Sequence, residues 1–238
     1  MLKISNKWTQ LRFAAALSLL VHVIAGLAMA TVLCHGLETN SDVTSRFTFL
    51  TEHNLLWVSA WCTWNAAALS LFYFYWSFIK THKESADKAT KAIFTVVILL
   101  TIAGVIFDLS AESMEMFILP SVAKDALVAN SLSQIFSERF FSVHRNAVLL
   151  TGFMANSLYT LGAILLSWST RDRYPVWVWG AGLCVGISGM SLSLAVLENS
   201  VRGMFWSNVV LVPAIVVWQL GVAIQSKDLD RTKKSLMY

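Results

Sequence analysis

The sequence predicts an all-α polytopic integral membrane protein, a six-transmembrane-helix bundle with both termini on the cytoplasmic side. Three observations predict it. Of the 238 residues, 56% are hydrophobic and only 13% charged, whereas soluble domains carry about 25% charged residues. Six segments are long and apolar enough to cross a hydrocarbon core of about 30 Å. Finally, 13 of the 18 lysines and arginines fall on one set of alternate connections, which is the bias of cytoplasmic loops. The chain reads as a single transmembrane domain over residues 1–238, set in a bacterial inner membrane with the lipid bilayer as its first partner.

The spans follow in order. Lys3, Lys7 and Arg12 precede the first, about residues 13–34. Ala28-Met29-Ala30 imitates a signal-peptidase site, but the apolar run is longer than the 7–15 residues of a signal peptide, so it reads as an uncleaved span. Residues 35–54 form a polar outer loop with Phe47, Phe49 and Leu50 interspersed. The second span, 55–79, carries Trp57, Trp61 and Trp64 near one end and Tyr73, Tyr75 and Trp76 near the other. Such aromatic residues mark both interfaces of a membrane.

A basic turn with Lys80, Lys83, Lys88 and Lys91 leads to the third span, 92–119, with Pro120 as its expected end. The second long outer connection, 120–146, shows Leu132, Ile135, Phe136, Arg139 and Phe140 at helical spacing. It is either an interfacial helix or an extension of the fourth helix beyond the bilayer. The fourth span, 147–168, and the fifth, 175–197, are joined by a short turn with Arg171 and Arg173. Gly182, Gly186 and Gly189 give the fifth a small-residue face, expected to pack against another helix of the same chain. The sixth span, 204–225, contains Pro213, where a kink is expected, and a tail with Lys227, Arg231, Lys233 and Lys234 follows.

The third span carries the functional lead. After 16 uncharged residues it places Asp108, Glu112 and Glu115 within an arc of roughly 60°, on the face of Thr101 and Gly104. Ionisable groups inside a span are costly and usually face a bundle interior or a cavity. At 1.5 Å per residue, Asp108 falls in the outer third of the span. Asn65, Asn156, Glu198 and Asn208 on other helices lie at similar depth, with His53, His144, Arg145 and Arg202 just beyond. These residues compose either an outward-facing acidic pocket or a set of interhelical bonds, with Arg145 or Arg202 as counter-ion to Asp108 and the glutamates in solvent. His22, the one histidine inside a predicted span, is a core histidine or a proton relay to Asp108.

Several classes are excluded. The net charge of +4 follows membrane topology, so it is no signal for nucleic acid. Cys34, Cys62 and Cys184 form no CxxC pair, and no HExxH or HxxxH specifies a metal. No cofactor is specified: there is no Walker A motif, no dinucleotide-binding glycine loop and no second intramembrane histidine for a haem. Gly186-Ile187-Ser188-Gly189 resembles the GxSG of rhomboid intramembrane proteases, but no histidine follows His144 to activate the serine.

The resulting expectation is a multi-pass protein that binds, transports or senses a small polar ligand or cation through Asp108, Glu112, Glu115, Asn65, Asn156 and His22. An integral-membrane enzyme acting on a lipid or amphiphile is one alternative, with His53 or His144 sharing a metal with the acids. An accessory membrane subunit, its acids merely paired to arginine, is the other.

Overall fold

A computed structural model describes residues 4–128 and 134–235, so Leu132 and Lys3 lie outside the described residues. Among these residues the secondary structure is entirely helical, and six helical stretches are long and apolar enough to cross a membrane. Helix α1 (Ile4–Thr31) ends in a tight turn at Leu33–His35. A short helix α2 (Val43–Glu52) and a long α3 (Asn54–His82) come next. Then α4 (Lys88–Ser113) runs through a π-helical turn, Met114–Ile118, directly into α5 (Leu119–Val128). In the same manner α6 (Gln134–Val148) passes through a second π-turn, Leu149–Ala155, into α7 (Asn156–Ser169). Helices α8 (Val176–Leu197) and α9 (Val201–Ser235) complete the chain.

The long helices close into a ring. Each packs on its sequence neighbour, α1 on α3, α3 on α4, α4 on α7, α7 on α8 and α8 on α9, and α9 returns to α1. Such a ring has an interior, and at one end Phe74, Tyr75 and Trp218 fill it, with ring centroids 5.3 Å and 5.9 Å from the indole. Around this end lies the larger apolar core, with Phe78, Phe94 and Leu166 fully or almost fully buried. A second core lies at the other end, where α2, α5 and α6 make a helical cap. Here Phe47, Leu50, Trp57, Leu119, Val122 and Phe140 meet.

The cap departs from the expected polar loop. Asp42 starts α2 by accepting hydrogen bonds from the Thr44 and Ser45 amides, satisfying donors that have no partner inside the helix. The amphipathic face of α2 then buries Arg46, Phe47 and Leu50. In the second long connection, α6 is continuous with the fourth span through its π-turn.

Pro120 does not end its helix. A proline inside a helix removes one donor and its ring presses on the carbonyl four residues back. The π-turn just before Pro120 widens the backbone, the Leu119 amide bonding the Met114 carbonyl five residues back, so α5 continues past the ring. Pro213 likewise sits inside an uninterrupted α9.

The small-residue face of α8 turns onto α7. A methyl added at Gly189 would overlap the Thr160 side chain, and one added at Gly186 would overlap Ile164. Gly189→Val should therefore separate these helices, costing about 1–3 kcal/mol. A thermal midpoint of the purified protein unchanged by this substitution would show that the contact is not tight.

Candidate functional site

The expected inward face of α4 is buried throughout. Thr101, Gly104, Asp108, Glu112 and Glu115 all point away from the surface, and each glutamate is only 1% exposed. The two glutamates are therefore not solvated. The three acids nevertheless occupy three different environments.

Asp108 meets hydroxyls. The Thr151 hydroxyl donates to Oδ1 and the Tyr159 hydroxyl to Oδ2 at 3.4 Å. Gly104 makes the second contact possible: a Cβ there would lie 2.6 Å from the Tyr159 ring, so only glycine lets the ring cross α4 one turn before Asp108. Tyr159 is held in turn by Tyr75, whose hydroxyl donates to the Tyr159 carbonyl at 2.9 Å. Arg145 is not the counter-ion. It reaches Asn199 Oδ1 at 3.2 Å and the Leu197 carbonyl at 3.3 Å, closing the turn after α8. Arg202 and Glu198 are exposed. Two hydroxyls reach Asp108 without adding a second buried charge, and arginine serves better where the last carbonyls of a helix need donors.

Glu115 is paired with the cap. His144 Nδ1 lies 2.7 Å from Glu115 Oε1, and its Nε2 lies 2.5 Å from Glu38 Oε2. With both carboxylates ionised, an imidazole can meet both only as the imidazolium, which has two donors. Arg46 completes the group. It is 3% exposed, donates from Nε to the Gly36 carbonyl at 2.9 Å, and stacks 5.2 Å over the Phe140 ring. Burial alone would raise the Glu38 carboxyl. The hydrogen bond and charge of His144, helped by Arg46, outweigh it and hold the group at about 2. Burial likewise depresses the Arg46 guanidinium, which Glu38 and Glu115 pull back up. Two anions and two cations thus balance in one place.

Glu112 stands between these groups. Its Oε2 is buried without a hydrogen-bond partner, and among the described residues neither it nor Asp108 has a salt-bridge partner.

Both helices are distorted where they face one another. The Met114–Ile118 turn contains Glu115, and the Leu149–Ala155 turn contains Thr151. Each distortion is pinned by a donor from a neighbouring helix. Trp57 Nε1 donates to the Glu115 carbonyl at 2.8 Å, and the Ser193 hydroxyl to the Gly152 carbonyl at 3.3 Å. Ser193 is itself fixed by Asn156 Nδ2, 2.9 Å away, and the same amide reaches the Gly189 carbonyl at 2.6 Å.

Beside this region the ring holds a partly open cavity of about 290 Å³. All six long helices line it, through His22, Tyr75, Asp108, Tyr159, Val185 and Asn208, and Leu37, Glu38 and Thr39 form its wall on the cap side. Most of the lining is apolar. Of the expected site residues, Asp108, Asn156 and His22 face the cavity; Glu112, Glu115 and Asn65 do not. Asn65 turns its amide to the Met116 sulfur, 3.9 Å away. His22 bonds the Ser18 carbonyl at 2.7 Å, in a polar knot where Ser70 and Gln219 both donate to the Ser18 hydroxyl. His53 is exposed and packs on Phe49. Among the described residues no group of three histidine, cysteine or acidic side chains is placed to hold a metal.

Sequence reasoning missed Glu38, Arg46, Thr151 and Tyr159. The last three carried no distinguishing pattern. Glu38, an acid in a predicted outer loop that holds no other acid before Asp42, was the one available signal. The chain matches no protein-family model, and no curated protein and no solved structure matches it.

Because Glu38 titrates in the folded protein at about 2 rather than 4.5, its contribution to stability is complete above pH 4.5. It is lost as the pH falls towards 2. The thermal midpoint of the wild-type protein should drop across that window, and Glu38→Gln should begin lower and drop less. Parallel curves for the two proteins would rule out the His144 pair as a source of stability.

Proposed function

We propose that this chain is an integral-membrane binding protein of the transport or sensing class, which takes a small molecule into the centre of its helix ring. In this reading both termini are cytoplasmic, the membrane is a bacterial inner membrane, and the cap faces outward. The basic residues support the orientation. Lys80, Lys83, Lys88, Arg171 and Arg173 all lie in or next to the connections opposite the cap.

One observation carries the proposal: the cavity, with polar groups placed at a few points of an apolar wall. That is the usual build of a small-molecule site, although about 290 Å³ is near the low end of such sites. The same cavity weighs against an accessory subunit, for which a filled bundle is expected. An enzyme in which His144 shares a metal with the acids has less support, because both its ring nitrogens already face carboxylate oxygens. His53 stands apart from the acids at the surface.

The cavity predicts a retained ligand. Native mass spectrometry of the protein released from mild detergent should show a bound small molecule. Ala68 lines the cavity and is buried, so Ala68→Phe would place a ring inside it. That variant should fold and lose the adduct. An adduct kept in full by Ala68→Phe would place the binding elsewhere.

A further inference from the structure

Resting on the cavity reading, we propose that the ligand is a lipophilic amine or other organic cation, with its charged head at Asp108 and its apolar body among the aromatic side chains. Charge complementarity is the first ground. The cavity wall contains two carboxylates, Glu38 and Asp108, and among the described residues no lysine or arginine. Glu38 is taken up by His144. Asp108 is met only by the neutral hydroxyls of Thr151 and Tyr159. Glu112, one turn further along the same helix face, adds a second buried acid with no basic partner. A negatively charged guest would enter next to uncompensated acids, and a neutral one would leave them as they are. A cation would supply the missing charge.

The second ground is the nature of the wall. Trp61, Trp64, Tyr75, Tyr159, Phe205 and Trp218 all line the cavity. Aromatic faces attract ammonium groups, and more strongly once water is removed. They also hold an apolar body without requiring hydrogen bonds from it. The indole nitrogens of Trp61 and Trp64 are buried without a hydrogen-bond partner, so these two residues meet the cavity as apolar rings. The arrangement therefore favours a compact amphiphile with one positive centre over inorganic cations, which need several oxygen ligands. Apart from the carboxylate, Asp108's surroundings offer two hydroxyls that are already engaged.

The test is a matched series on the full-length protein in dodecyl maltoside at neutral pH. The probes are 4-phenylbutylamine, 4-phenylbutan-1-ol and 4-phenylbutyrate, which share an apolar body and differ in head charge. Binding is read as the concentration giving half the maximal rise in thermal midpoint, with Ala68→Phe as the control for effects on the micelle. The amine should half-saturate at a concentration about tenfold below the alcohol, and the butyrate should give no cavity-dependent shift. In Asp108→Asn the amine should fall to the level of the alcohol. Equal potency of amine and alcohol in wild type, or a preference for butyrate, overturns the ligand class and leaves the cavity reading standing. An amine preference that survives in Asp108→Asn overturns the placement of the head. Absence of any cavity-dependent shift with all three probes overturns both. The wild-type ranking decides the ligand class even if Asp108→Asn does not fold.

Discussion

The fold depends on how it neutralises acids that it removes from water. Burying a carboxylate without compensation costs several kcal/mol, and the loss is recovered only with a well-placed counter-charge or a full set of donors. Three of the acids here are buried on one helix, and the compensation differs at each. At Glu115 it is ionic, supplied by His144 and Arg46 from segments distant in sequence. This arrangement obliges α2, α6 and the turn carrying Glu38 to come together over the end of the ring. Without it, the cap would rest on apolar packing alone. With it, the register of the cap on α4 is set by a bifurcated ion pair that tolerates little displacement.

Towards the ring interior the compensation becomes weaker. Asp108 has two hydroxyl donors, and Glu112 keeps one oxygen with none. Native structures seldom leave such groups buried and unpaired, and those that remain mark strain, function or an absent partner. The ring geometry explains why this happens here. Six helices packed in sequence order leave a central space, and at the far end bulky aromatics fill it. At the level of Asp108 the lining instead includes Ala67, Ala68 and Gly152, which are too small to close it. Asp108 therefore meets the open volume, with Glu112 one turn away and outside it.

Much of this was legible in the sequence, because hydropathy and helical period act locally. The six spans, the inward face of Thr101, Gly104, Asp108, Glu112 and Glu115, and the inward packing of the α8 glycines follow from composition and a 3.6-residue repeat. What was not legible depended on contacts between distant segments. Nothing near Glu38 indicates that His144 will meet it, and nothing near Arg145 indicates that the α8 turn will claim it before Asp108 can. Pro120 did carry a signal, but the signal was ambiguous. A proline in a helical pattern reads as a stop unless the backbone before it can widen, and tertiary contacts decide that. Here the Trp57 indole, on a different helix, bonds the Glu115 carbonyl inside the widened turn.

That widened turn also explains why acids placed together by a helical wheel end in separate environments. A regular helix would carry Glu115 almost directly above Asp108, since seven residues make nearly two turns. A π-turn introduces an extra residue into one turn, so that every later side chain is offset around the axis. Asp108 and Glu112 precede Met114 and keep the orientation of the bundle, whereas Glu115 lies within the distorted segment and faces His144. Beyond it, Leu119, Val122, Ala123 and Ala126 present a regular buried face to the cap core and not to the ring. A single backbone irregularity therefore divides one acidic stripe in two. One part anchors the cap, and the other is left beside the cavity without a basic partner.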